Sequence, residues 1–330
     1  MKRETHRYYE EKSLHHVFVR SRGGAIVFYA LEDYILFFTL YSCLSRRYGI
    51  SAKAFCIMPN HVHSAEIAAS AQSFTRFHQQ LEAIFTKEYN SARQRSGPLF
   101  DKPFGYAPKI IGKRVRETMS YIANNPVAGR ITEKVEDYRW NLLAYMENRH
   151  PFSNKLRLSS ASFRLRRAIK RIDAFYNSER HLSYNAQKMI FRDLAKEDRM
   201  QIADYVVHKY NFLDYNALEK YFGSREKALA TFNVTAGSEH DIPDDWDDYS
   251  VYERMASIAE SNGLDLLSCN LDKLSNKQVN LLSSLFSRSG FTRKSISRFL
   301  HRPVNRGGYP ADYNDFRLST TTIRAGQLKR

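Results

Sequence analysis

Two histidines one residue apart, His61 and His63, stand at the end of the segment Cys56-Ile57-Met58-Pro59-Asn60-His61-Val62-His63. Side chains alternate along a β-strand, so both imidazoles emerge on one face while Val62 turns to the other. Neutral imidazole is a good donor to divalent ions, and two on one face can begin a metal site. The same pair also occurs as plain polar residues on a solvated strand face. Here an apolar run and a Pro-Asn turn lead directly into it, which sets it at a defined edge of a sheet. Further along, Tyr121 and Asn125 lie four residues apart and share one face of a helix. A tyrosine hydroxyl can attack a phosphodiester when a metal polarises the phosphate and holds it in line. It needs such help, because a phenol has a pKa of about 10. The amide oxygen of Asn125 can complete a metal site begun by the histidines. The chain has 21 tyrosines, so spacing alone does not single out Tyr121.

These groups need elements to hold them. His15–Val19 and Ala25–Phe28 read as two short strands around the Gly23-Gly24 turn. Leu31, Ile35, Phe38, Cys43 and Leu44 give residues 31–48 a helical period. Ala52–Met58 and His61–Ile67 read as strands joined by Pro59-Asn60, and residues 72–93 as a second helix through Phe74, Phe77, Leu81, Ile84, Phe85 and Tyr89. Tyr106–Ile111 follows as a strand, then Arg114–Ala123 as a helix that Asn125-Pro126 should end. This alternation predicts an α/β sheet domain of about 150 residues. Beyond Pro151, Lys155–Arg171 is a basic helical run, residues 184–232 are helical, Glu239–Asp248 with Pro243 is an acidic loop, and residues 251–301 are helical again.

The chain resembles the single-tyrosine HUH transposases and, within them, the REP-associated tyrosine transposase-like group. The matching marks come in the family's order: His15-His16-Val17-Phe18-Val19-Arg20, then Ile57-Met58-Pro59-Asn60-His61-Val62-His63, then Tyr121-Ile122-Ala123-Asn124-Asn125-Pro126-Val127, then Tyr138-Arg139-Trp140. Together they cover residues 6–150. The resemblance implies an α+β fold, a ferredoxin-like HUH nuclease domain with an antiparallel sheet followed by mostly helical C-terminal domains. It implies that His61, His63 and Asn125 bind Mg²⁺ or Mn²⁺ and that Tyr121 is the nucleophile. The reaction would leave a 5′-phosphotyrosine and a free 3′-hydroxyl on single-stranded DNA folded as a hairpin near palindromic repeats. The family usually continues the histidine strand with aliphatic residues, where this chain has Ser64-Ala65-Glu66. It is also basic and aromatic where this chain has Lys102-Pro103-Phe104-Gly105-Tyr106. Glu66 should turn with Val62 and Ser64 to the opposite face, so it is not counted as a ligand.

The net charge of +16 favours a polyanionic partner. Residues 1–150 hold 22 Lys/Arg against 14 Asp/Glu, residues 151–180 hold 8 against 2, residues 181–260 hold 9 against 15, and residues 261–330 hold 12 against 4. The expected organisation is a nuclease domain over 1–150, a basic linker helix over 151–180, an acidic helical domain over 181–250, a helical domain over 251–302 and a flexible tail over 303–330. Lys277–Arg288, the turn Ser289-Gly290, and Thr292–Leu300 form a candidate helix-turn-helix; an ordinary helical hairpin with a basic face has the same pattern. The side chains expected on DNA are Arg20, Arg22, Arg114, Arg116, Arg164, Arg166, Arg167, Arg293, Lys294 and Arg298. Expected partners are single-stranded or hairpin DNA, duplex DNA through the C-terminal region, and a second copy of the chain.

No run reaches the roughly 18–20 apolar residues of a membrane helix, and Met1–Lys12 has no signal-peptide character, so a cytoplasmic, nucleoid-associated bacterial protein is expected. Cys43, Cys56 and Cys269 read as reduced thiols. Two further readings fit the same residues. One is a domesticated hairpin-DNA-binding regulator or genome-maintenance protein. The other is an RNA-binding protein using the sheet as a platform, which needs stacking aromatics on the face where the histidines sit.

Overall fold

The computed structural model describes residues 9–101, 104–110, 112–234 and 248–304. Most of the expected acidic loop (239–247) and nearly all of the expected tail lie outside them. The first half runs β1 (Leu14–Arg20), α1 (Leu31–Tyr48), β2 (Ile50–Met58), β3 (His61–Ala68), α2 (Ala71–Ala92), β4 (Gly105–Lys109) and α3 (Gly112–Ala128). The four strands form one sheet in the order β2-β3-β1-β4, and every neighbouring pair is antiparallel. This is the split β-α-β arrangement of ferredoxin-like domains. The histidine strand lies at the centre, flanked by β1 and β2.

Two expectations are corrected. Ala25–Phe28 is not a strand. Ile26, Val27 and Phe28 are buried as an apolar run should be, but their amides find other partners: Ile26 donates to the Arg298 carbonyl, and Val27 and Phe28 both donate to the Pro59 carbonyl. Nor does Asn125-Pro126 end α3, which continues through Pro126 to Ala128. Proline removes one amide donor from the helix. The turn is held beyond it by Gly129, whose amide donates to the Asn125 carbonyl at 2.8 Å, and the Asn125 side chain donates to the Tyr121 carbonyl at 2.7 Å. Asn125 therefore keeps its helical place on the Tyr121 face.

Strand alternation sends Val17, Val19, Phe55, Ile57, Val62, Ser64 and Glu66 to the side covered by α1 and α2. Glu66 is fully buried there, accepting from Tyr41 on α1 and from Ser64, with His78 on α2 at 2.9 Å. The departure at Ser64-Ala65-Glu66 is thus a polar knot in the core, turned away from the histidines as expected. Burial works against the Glu66 charge. His78, through its charge and hydrogen bond, and the two hydroxyls outweigh it and hold the carboxyl below its ordinary 4.5. The downward shift means that the stability Glu66 supplies is present above pH 4.5 and is lost as the pH falls through the lowered value. Glu66→Ala leaves a buried network without its acceptor and is expected to cost about 3–5 kcal/mol in urea unfolding. A loss below about 1 kcal/mol would show that the knot is not a structural anchor.

The second half is helical: α4 (Phe163–Asn177), α5 (Tyr184–Phe191), α6 (Lys196–Lys209), α7 (Asn216–Phe222), α8 (Arg225–Val234), α9 (Ser250–Ser261), α10 (Asn276–Arg288) and α11 (Arg293–Leu300). It packs closely on the sheet domain. Arg93, which caps the end of α2, is buried with one guanidinium nitrogen on both carboxylate oxygens of Asp33 on α1 (2.8 and 3.0 Å) and also donates to the Tyr184 hydroxyl and the Leu266 carbonyl. Asp204 on α6 pairs with the buried Arg139 at 3.1 Å and accepts from Tyr145. At a bulge in β2, Lys53 pairs with Asp214. The acidic stretch therefore spends carboxylates on basic groups of the first half. No described helix is long and apolar enough to cross a membrane.

Candidate active site

His61 and His63 project from β3 towards α3, opposite Arg20 and Phe18 of β1. α3 covers this face and brings Tyr121 and Asn125 against them. His61, His63, Tyr121 and Asn125 are all buried. The ring centroids are 4.9 Å apart for His61 and His63 and 5.5 Å apart for His63 and Tyr121. The four side chains singled out in the sequence do converge.

The hydrogen bonds fix which atoms face each other. Asn60 donates its amide N–H to the Gly24 carbonyl, so its oxygen faces His61 Nδ1, at 2.6 Å. That oxygen can only accept, so Nδ1 carries a proton, and in the neutral form of the ring Nε2 presents a lone pair. Asn125 is oriented likewise by its donation to Tyr121, and its oxygen faces His61 Nε2 at 3.4 Å. Two acceptors facing at that distance suit a cation shared between them. His63 Nδ1 meets His16 Nε2 at 3.0 Å, while His63 Nε2 is buried without a hydrogen-bond partner. Burial first, then His61, His16 and Arg20, hold His63 well below the usual imidazole range, so it stays neutral and able to ligate. Among the described residues no three His, Cys, Asp or Glu side chains gather as a metal cluster. A metal here would rely on the Asn125 amide oxygen as its third protein ligand. The donors present fit a hard divalent ion that completes its shell with water or phosphate.

Several contributors were not foreseen. His16 orients His63, and its signal was its place on β1, in alternation with Phe18 and Arg20. Asn60 was read only as a turn residue. Tyr249, just before α9, has its ring 5.7 Å from His61 and its amide donating to the Gly129 carbonyl at 2.8 Å. Together with Arg20, Met58, His61, Tyr121, Asn125 and Gly129 it closes a space of only ≈ 10 Å³, room for about one water molecule. A β-carbon on Gly129 would stand 2.9 Å from both the Met58 methyl and the Tyr249 ring. Gly129→Ala is therefore expected to push Tyr249 outwards. Exchange of the Tyr249 amide should accelerate about tenfold, matching a local loss of about 1.4 kcal/mol. Unchanged protection would mean the neighbours yield and the cover stays in place.

Of the basic residues, Arg20 lines this space and Arg22 lines a separate cleft. Arg114 and Arg116 are exposed on the first turns of α3, and Arg164 and Arg166 on α4, with Arg167 half-buried. α10 and α11 form the expected pair of helices around Gly290, with Thr292 capping α11. α11 buries Ile296, Phe299 and Leu300, and Tyr29 donates to its Phe299 carbonyl at 2.6 Å. Arg293 and Lys294 are exposed at its start, while Arg298 lies against Gly24. Of two other tyrosines, Tyr106 pairs with Val17 and so lies on the opposite face from the histidines, and Tyr138 donates to the Ile57 carbonyl on the edge strand at 2.6 Å.

No protein-family model matches the chain, and no curated protein matches it. Among solved structures, the chain is similar to a REP-associated tyrosine transposase bound to a REP hairpin, with 17% identity, 42% of this chain and 81% of that chain covered, and a TM-score of 0.38.

Proposed function

We propose that this protein is a metal-dependent single-stranded DNA endonuclease and strand transferase, a transposase-type enzyme that acts at hairpin or palindromic sequences. The observation that carries the reading is the buried meeting of His61, His63, Asn125 and Tyr121, with lone pairs directed at one another and a phenol beside them. His61, His63 and Asn125 would hold Mg²⁺ or Mn²⁺, which supplies charge neutralisation at the scissile phosphate. His16 and Asn60 orient the two imidazoles, and Arg20 offers a positive charge beside the phosphate. Tyr121 Oη attacks phosphorus, the bond from phosphorus to the 3′ oxygen breaks, and that oxygen leaves as a 3′-hydroxyl by taking up a proton from water. The phenol's proton is released to solvent. Attack by a 3′-hydroxyl on the phosphotyrosine reverses the step and rejoins DNA with no nucleotide cofactor.

The RNA-platform reading is disfavoured by the sheet itself, since α1 and α2 cover one face and α3 covers the histidines on the other. A hairpin binder that does not cut remains the rival, and one experiment separates them. Full-length protein, a DNA hairpin with single-stranded flanks and Mg²⁺ or Mn²⁺ should yield a covalent protein–DNA adduct on a denaturing gel. Binding with no adduct under either ion would favour the non-cutting regulator.

A further inference from the structure

A cleft of ≈ 500 Å³ opens between the segment after β1 and the end of α11. Arg22, Arg95, Arg298, Arg302 and His301 line it, and among the described lining residues Asp272 is the one carboxylate. Asp272 is already committed, to Arg95 at 2.9 Å and His301 at 3.5 Å. Arg302 donates to the Leu271, Asp272 and Leu274 carbonyls, bonds that orient the guanidinium and leave its charge uncancelled. The walls are locked together across the length of the chain: Ile26 donates to the Arg298 carbonyl at 3.0 Å, and His301 Nε2 meets the Tyr29 hydroxyl at 2.9 Å and the Ile26 carbonyl at 2.7 Å. Val27 and Leu99 add apolar wall. A rigid, open, cationic groove with apolar patches suits an anionic polymer whose charges repeat and whose remaining surface is flat and apolar.

The cleft is also joined to the candidate active site. Arg20 lines the space around Tyr121, and Arg22 lines the cleft. Ser21 between them is extended, so the two side chains leave on the same side, roughly 7 Å apart. Ser21 donates to the Asn60 carbonyl, and Asn60 holds His61. We propose that this cleft binds the sugar-phosphate backbone of the single strand flanking the scissile bond, leading it from Arg20 through Arg22 to α11. The proposal rests on the nuclease reading above and adds to it a second contact for the same DNA, next to the reacting groups but not among them.

The test uses full-length protein and compares a blunt DNA hairpin with hairpins bearing a 5′ or a 3′ single-stranded tail of about ten nucleotides, within the range such grooves cover. Arg22→Glu is the probe. Arg47→Glu, an equal charge change on exposed α1 surface, is the control. In wild type, one of the tails is expected to tighten binding. Arg22→Glu should lose most of that gain, roughly fivefold or more near 0.1 M salt, with the salt slope of binding reduced by about 0.7 or more. Affinity for the blunt hairpin should match Arg47→Glu. Absence of a tail effect in wild type, or Arg22→Glu behaving like Arg47→Glu, overturns the proposal even if adducts form. A tail effect lost in Arg22→Glu upholds the cleft even if no adduct is ever seen, in which case the nuclease reading fails on its own.

Discussion

Tyr121→Phe should form no covalent adduct with DNA while binding a hairpin as the wild type does. The substitution deletes one oxygen and keeps the ring that packs beside His63 and His16. Losing a nucleophile abolishes the covalent route outright, so adduct yield should fall by at least roughly a thousandfold. Stability should change little, by about 1 kcal/mol for a hydroxyl hydrogen bond. The two measurements are a denaturing gel with labelled hairpin and a thermal melt of the same sample. A Phe variant that still captures DNA would sink the assignment. Tyr106 is on the other side of the sheet and the Tyr138 hydroxyl is bonded to the Ile57 carbonyl at the β2 edge, so the residue to test next would be Tyr249, which lines the same small space as Tyr121.

His61→Ala and His63→Ala should each remove divalent-ion-dependent cleavage. Substituting outer partners of a metal site commonly costs 10–100-fold, so removing a ligand itself should cost at least about 100-fold. Mg²⁺ asks for near-octahedral geometry, and a two-ligand remnant holds it weakly. His16→Ala, which takes away the orienting partner of His63, should fall within the 10–100-fold range and be partly rescued by raising the ion concentration. Asn125→Ala should hurt less than either ligand histidine, because water can supply one oxygen. Adduct formation is followed against Mn²⁺ concentration for each variant. Full activity of wild type in excess chelator would refute metal dependence, and equal losses for His16→Ala and His63→Ala would remove the distinction between ligand and support.

The meeting of His61, His63, Tyr121 and Asn125 was legible because their placement follows from local periodicities. Alternation along a strand put His61 and His63 on one face and Glu66 on the other, and helical spacing put Asn125 over Tyr121. Those relations hold wherever the elements pack. The Ala25–Phe28 run misled because an apolar segment with unpaired amides looks like a strand until its partners are known, and here they are Arg298 and Pro59, distant or non-adjacent in sequence. Pro126 misled for a related reason: the helix continues past it through the Gly129 amide and the Asn125 side chain. His16 was readable in retrospect, since one further step of alternation from Phe18 and Arg20 reaches it. Tyr249 was not readable, because no local rule brings a residue next to an acidic stretch back onto a helix more than a hundred positions earlier.

That tyrosine also sets a threshold. With the Tyr249 amide bonded to the Gly129 carbonyl, the space beside Tyr121 is about the size of one water molecule, so on the proposed function a phosphodiester would reach Tyr121 only where that cover is displaced. The affinity measured for any strand would then be weakened by the fraction of molecules so opened, and each 1.4 kcal/mol needed to displace the cover would cost tenfold. A short stray strand gains too little from the protein to offset this, whereas a hairpin gripped elsewhere on the surface can. On the proposed function, a cell could then carry such an enzyme through replication, when its own unpaired DNA is exposed, and the discrimination would come from the work of opening as well as from base recognition.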